Sequence, residues 1–181
     1  MPQCISTLGV PLLSWLRRVR NTGTSRFECQ ALLHTYHAVS DAAAAAVTGL
    51  SGAEYVDKLD SQAVKEQHGD VKFDREVDRI YRTSRSGEAA GPVVLAPVAA
   101  GGLAVTISSS ASTQAAGSSA TAAAKSDVVV WNPWVEKSAA LDDLPDDGYK
   151  SFVCVEPGCV DGMYVVEPAT VMTLTQAARF G

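Results

Sequence analysis

Short apolar runs separated by turn-forming residues dominate the chain, and no sustained helical spacing interrupts them. From Phe73 to Tyr81 the residues alternate, so Phe73, Arg75, Val77, Arg79 and Tyr81 share one face of a predicted strand while Asp74, Glu76, Asp78 and Ile80 share the other. Further β-branched or aromatic runs lie at Val93-Val94-Leu95, Leu103 to Ile107, Val128 to Trp131, Phe152 to Val155 and Met163 to Val166. Gly, Pro or Asp-rich turns such as Pro145-Asp146-Asp147-Gly148 bound them. Many short strands of this kind predict an all-β sandwich or barrel-like sheet.

Two segments break the pattern. Ser108 to Ser126 is a run of 19 residues in which all but Gln114 and Lys125 are Ser, Ala, Thr or Gly. Such side chains bury too little apolar surface to offset the entropy of ordering them, so the segment is expected to be a disordered loop between two strands. Ala42 to Ala46 has helical propensity but is too short for an isolated helix, and is assigned to a strand edge or turn.

Length and composition narrow the function. The 181 residues suit one domain or a piece of a larger protein. The hydrophobic share is 46%, but 27 of those residues are alanine, which leaves enough large side chains for one modest core. Mean hydropathy is +0.05, and no apolar run approaches the roughly 20 residues of a membrane span. A net charge of −5 argues against a nucleic-acid binder that relies on a broad basic surface. The cysteines Cys4, Cys29, Cys154 and Cys159 lack the short C-x2-C spacing of a zinc site or redox pair, and are read as free thiols in a reducing compartment. The arginines Arg17, Arg18 and Arg20 follow the apolar amino terminus rather than precede it, unlike a secretory signal, and the chain does not end in S-K-L. Cytoplasmic is the default expectation.

Three polar residues stand out. His34 sits among apolar neighbours, where a core or edge histidine is as reasonable as a catalyst. Asp78 is either one of three carboxylates on a solvated face or a functional group. Glu156 ends an apolar strand just before Pro157-Gly158, where burial would raise its pKa unless partners hold its charge. A carboxylate and a histidine on one sheet suit general acid–base chemistry. Serine hydrolases, P-loop NTPases and zincins lack support, since G-x-S-x-G, the P-loop and H-E-x-x-H are all missing.

At these residues the chain resembles a known family. Arg20-Asn21-Thr22-Gly23, Phe27, Ala31-Leu32-Leu33-His34-Thr35-Tyr36, Val39-Ser40-Asp41, Gly49-Leu50-Ser51-Gly52 and Tyr55-Val56-Asp57-Lys58 are similar to the central part of the glucose-6-phosphate 1-epimerases, the hexose-6-phosphate mutarotases of the aldose 1-epimerase superfamily. The similarity continues through Glu76 to Tyr81, Val128-Val129-Val130-Trp131-Asn132-Pro133-Trp134, Tyr149-Lys150 and Cys154-Val155-Glu156-Pro157-Gly158. The resemblance implies a galactose-mutarotase-like β-sandwich (supersandwich) of mainly antiparallel strands. The amino-terminal part of the family's domain is missing, so 1–181 is expected to be a single partial domain.

It further implies that His34 and Glu156 are the catalytic pair, that Asp78 contacts the sugar, and that hexose 6-phosphate is the substrate, with no cofactor or metal. The Trp-Asn-Pro-Trp run and Lys137 are taken as structural: a strand end, packed tryptophans and an Asn-Pro turn. Two rivals carry the same motifs: an inactive sugar-binding or interaction protein of this fold, and a glycosidase in which Asp78 and Glu156 flank one bond. The histidine argues against the second. Neither nucleic acid nor membrane is an expected partner, whereas self-association through an unpaired sheet edge is.

Overall fold

The computed structural model describes residues 12–83, 91–97 and 102–181. The amino-terminal stretch with Cys4, read above for targeting, lies outside the described residues.

Among the described residues, fourteen strands form two sheets in which every pairing is antiparallel. The first sheet runs in the order β1 (Leu12–Arg20), β14 (Thr170–Phe180), β10 (Val105–Ala115), β9 (Val93–Ala96), β4 (Ala46–Thr48), β7 (Val71–Lys72), with β11 (Ala122–Ala124) also paired to β10. The second runs β2 (Phe27–Leu32), β13 (Phe152–Val166), β12 (Asp127–Asn132), β8 (Val77–Tyr81), β5 (Glu54–Asp57), β6 (Ala63–Glu66), with β3 (Tyr36–Ala38) also paired to β13. The expected all-β sandwich of antiparallel strands is what the chain adopts.

Alternation places the core. Val128 and Val130 of β12, Val153 and Val155 of β13, and Val77 and Tyr81 of β8 point inward. They meet Val47, Leu95, Val105 and Ile107 of the other sheet, with every side chain at most 2% exposed. The intervening residues of the second sheet therefore face outward. Arg79 takes an inward position at the margin of the core, stacks its guanidinium 4.7 Å from the Tyr55 ring and donates to Gln67 Oε1.

Two expectations are corrected, while the strand edge or turn expected at Ala42 to Ala46 is what forms. Ser108 to Ser126 is not a disordered loop: most of it is β10 and β11, and only 116–121 and 125–126 are turn or irregular backbone. Its main-chain N–H and C=O groups hydrogen-bond whatever the side chains, and β10 pairs with β14 continuously from Val105↔Phe180 to Ala115↔Thr170. Ladder bonds and the cover of neighbouring strands order a segment whose side chains could not do so alone. Ala42 to Ala44 form a 3-10 turn, capped by Asp41 Oδ1 accepting from Ala43 N, and the strand begins at Ala46. The Phe73–Tyr81 strand is confined to Val77–Tyr81, and Asp74 forms an exposed ion pair with its neighbour Arg75 at 2.9 Å.

Asn132 closes β12 as expected of an Asn-Pro junction. Its amide donates to Tyr149 O and Phe152 O, while its Oδ1 accepts from Trp134 N. A short helix, α1 (Trp134–Ala139), follows instead of a simple turn.

Candidate active site

Four adjacent chain segments set two rows of side chains on the outer face of the second sheet. Asp78 pairs in register with Trp131, Trp131 with Cys154, and Cys154 with Tyr36. One step along the strands, Ile80 pairs with Val129 and Val129 with Glu156. The second row is completed by His34, which lies in the short break between β2 and β3.

That break has a local cause. Leu32 is opposite Gly158 and Tyr36 opposite Cys154, so the register is the same on both sides and Leu33, His34 and Thr35 run past Val155, Glu156 and Pro157 without an inserted residue. Leu33 N donates to Pro157 O, but Pro157 has no N–H to return the bond. The Thr35 hydroxyl sits 3.2 Å from the Leu33 carbonyl oxygen and 2.8 Å from Gln176 Oε1, and shares its one proton between them. Gly158 permits the close approach of β2, since a Cβ there would lie 2.6 Å from Leu32 Cδ1 and 3.0 Å from Ala31 O.

The result is a contact between His34 Nδ1 and Glu156 Oε1 at 2.7 Å. Among the described residues, Glu156 Oε1 is buried without a hydrogen-bond partner. Glu156 is 2% exposed although its strand face points away from the core, whereas the His34 side chain is half exposed. Burial, reinforced by the nearby Asp78 carboxylate, pushes Glu156 up to about 7 against the weaker opposing effects of Cys154 and Lys58. Burial also lowers His34 from its ordinary value, and raises the Cys154 thiol. Both members of the pair are thereby pushed toward their neutral forms.

Aromatic rings fix the histidine. His34 stacks on Tyr36 with centroids 4.9 Å apart and planes within 9°, and Trp131 meets both rings edge-on. Asp78 accepts from Lys58 Nζ at 2.8 Å. A groove of about 530 Å³ runs over this face and is lined by His34, Glu156, Asp78, Lys58, Trp131 and Gln30, among others. Its volume is that of small-molecule sites in general. A second groove of about 770 Å³ reaches from the other side of His34 toward Arg17 and Arg18 of β1.

All three residues singled out from the sequence line one groove, and two of them touch. Sequence reasoning missed Lys58 and Cys154 and treated Trp131 as purely structural. The parity of β12 and β13 could have found Trp131 and Cys154, which with Glu156 fall on the face opposite the valines that build the core; Lys58 lies beyond β5 and carries no such signal.

Residues 7–179 match the aldose 1-epimerase family. The chain is 31% identical over 159 residues to a Cenchrus ciliaris protein named "Putative glucose-6-phosphate 1-epimerase", covering 86% of this chain and 43% of that protein. A protein of the same name from Escherichia coli is 32% identical over 154 residues, covering 84% and 46% respectively. This chain thus spans about half the length of the curated relatives it matches. Among solved structures, a "putative mutarotase (YeaD)" from Salmonella typhimurium superimposes with a TM-score of 0.66 at 23% identity, over 93% of this chain and 50% of that one. The Slr1438 protein from Synechocystis superimposes with a TM-score of 0.64 at 14% identity, over 94% and 50%. These likenesses concern the fold, and the sequence match spans nearly the whole chain: the protein belongs to the aldose 1-epimerase family.

Proposed function

We propose that the chain carries the acid–base centre of a hexose-6-phosphate mutarotase, interconverting the α and β anomers of its substrate. The contact between His34 and Glu156 beside Asp78, in a groove of monosaccharide scale, is the observation that carries this reading.

Glu156 in its ionised form takes the proton of the anomeric hydroxyl, and its O–H electron pair becomes the second bond of a C1 carbonyl. The C1–O5 bond breaks, its electrons go to the ring oxygen, and His34 delivers a proton there. Rotation about C1–C2 turns the other face of the aldehyde toward O5, and reversal of the proton transfers closes the ring as the opposite anomer. Asp78, held by Lys58, hydrogen-bonds sugar hydroxyls, and Trp131 offers an apolar face to the ring.

The names of the two relatives support a 6-phosphorylated hexose as the preferred substrate. Exchange NMR at equilibrium tests both statements: magnetisation transfer between the anomers of glucose 6-phosphate should accelerate with added protein, and more than for glucose. Equal rates with and without protein would sink the reading.

Among the described residues Cys29, Cys154 and Cys159 are free thiols, which supports a cytoplasmic setting, and no helix there is long and apolar enough to cross a membrane. Self-association fits the outer side of β1, which among the described residues is an unpaired strand edge and beside which Leu16 is 43% exposed. A monomeric mass at micromolar concentration in sedimentation equilibrium would exclude it.

A further inference from the structure

The catalytic reading uses His34 and Glu156 but gives no role to the third donor beside them. Cys154 and Glu156 lie two residues apart on β13 and so face the same way, and His34 stands opposite Glu156. A ring nitrogen of His34, Sγ of Cys154 and an oxygen of Glu156 all lie within 4.8 Å of one another. Apolar burial alone would account for the cysteine. It does not account for Glu156 Oε1, an oxygen of a side chain only 2% exposed that accepts no hydrogen bond in this cluster.

We propose that His34 Nδ1, Cys154 Sγ and Glu156 Oε1 form a binding site for a borderline-soft divalent cation such as Zn²⁺, and that the bound ion withdraws the acid–base pair from catalysis. One nitrogen, one sulfur and one carboxylate oxygen is the donor chemistry such an ion selects over Mg²⁺ or Ca²⁺. Tetrahedral zinc with bonds of about 2.0–2.3 Å sets its donors roughly 3.3–3.7 Å apart. The 2.7 Å separation of Nδ1 and Oε1 must therefore widen slightly, by a small slide of the half-exposed His34 ring along its stack on Tyr36. Water or a sugar hydroxyl from the groove completes the coordination.

Binding releases the thiol proton to solvent, and the thiolate and carboxylate together balance the two positive charges of the ion. Lys58 does not oppose it strongly, because its ammonium is already paired with Asp78 at 2.8 Å. A cation there occupies His34 Nδ1 and Glu156 Oε1, the two atoms in contact across the acid–base pair. Loss of exchange rests on the mutarotase reading, whereas binding does not.

Titration of the full chain with Co²⁺ separates the two. Four-coordinate cobalt bound to a thiolate absorbs in the near ultraviolet, and the expected result is one equivalent of that band, removed by excess Zn²⁺ and abolished in Cys154→Ser. Glu156→Gln retains the thiol and should weaken Co²⁺ at least tenfold, which keeps the test decisive if the serine variant fails to fold. No thiolate band, or a band of full intensity in Cys154→Ser arising from Cys29 or Cys159, would overturn the site. In the exchange assay Zn²⁺ should slow anomer interconversion and a chelator should restore it. A band with no slowing would refute the inhibitory role, and a band in a protein without mutarotase activity would place the fault in the catalytic reading instead.

Discussion

His34 meets Glu156 at the register position that the flanking pairs dictate: Leu32↔Gly158 on one side and Tyr36↔Cys154 on the other place residue 34 opposite residue 156, and their side chains touch at 2.7 Å. A proline in the opposite strand leaves one ladder bond unmade, and the interrupted segment turns a histidine toward a buried glutamate. The defect in the sheet and the candidate chemistry are one feature.

Replacement of either partner should remove most of the exchange activity. We expect His34→Ala and Glu156→Gln each to lower the rate of glucose 6-phosphate anomer exchange by about 10²–10⁴, the usual worth of one acid–base group. Circular dichroism should show the sandwich retained, since His34 is half exposed and Gln is isosteric with Glu. Near wild-type exchange in either variant would dismiss the assigned roles.

The pH profile of exchange should be bell-shaped. Turnover requires ionised Glu156 and protonated His34, a pair holding a single proton. Glu156 titrates at about 7 and His34 below its ordinary 6.5, so the one-proton state is populated between those two values and the maximum falls below about 7. The limbs belong to the pair as a unit. A rate that is flat from pH 5 to pH 9 would be incompatible with it.

Stability should carry the same signature with its own sign. Glu156 is raised from 4.5 to about 7, so the folded state binds its proton more tightly than the unfolded state does. Its stabilising contribution is complete below pH 4.5 and is lost as the pH rises through about 7, to the extent of roughly 3 kcal/mol. His34, with a lowered value, acts in the opposite sense below pH 6.5. The difference between wild type and Glu156→Gln isolates the first effect: urea melts at pH 5 and pH 8 should show the glutamine variant gaining relative stability at the higher pH. An unchanged difference would show that Glu156 is not held neutral by burial.

Thr35 is expected to act as a positioning residue. Thr35→Val keeps the shape but removes the hydroxyl that serves Leu33 O and the fully buried Gln176. Leaving such an acceptor unpaired costs about 1–3 kcal/mol, and the loosened segment carries His34. Exchange at saturating sugar phosphate should fall while the concentration for half saturation stays within twofold, and Thr35→Ser should rescue it. A change confined to half saturation would mean that Thr35 touches substrate rather than orients the histidine.

What could be read from the sequence follows from side-chain size. The valine runs of β9, β12 and β13 announced themselves because bulky β-branched residues both favour extended backbone and fill the core. Glu156 was conspicuous because a carboxylate continues an apolar strand, and it is indeed buried. Alanine and serine give no such signal, so β11 and all of β10 beyond Ile107 read as a loop. In β14 the inward set Met172, Leu174, Gln176 and Ala178 mixes a glutamine and an alanine into the apolar face, which obscures its alternation. The partnership of His34 with Glu156 depends on a pairing between residues more than a hundred positions apart, and spacing along the chain carries no record of it.

The Ser/Ala stretch also lengthens the hold within the first sheet. In the order β1-β14-β10-β9-β4-β7, strand β10 is the sole bridge among the described residues between the pair β1–β14 and the trio β9–β4–β7; it meets β9 through Val105 to Ile107, and the stretch carries its ladder with β14 on to Ala115. Compositionally it is the plainest segment of the chain, yet excising Ala111 to Ala124 would cut the longest ladder of the sheet and strip the cover from Leu174 and Met172. Almost any individual position in it can vary among small residues, because what it contributes is backbone. Its indispensability is therefore of a kind that single substitutions will not expose: the segment is permissive of spelling and intolerant of shortening.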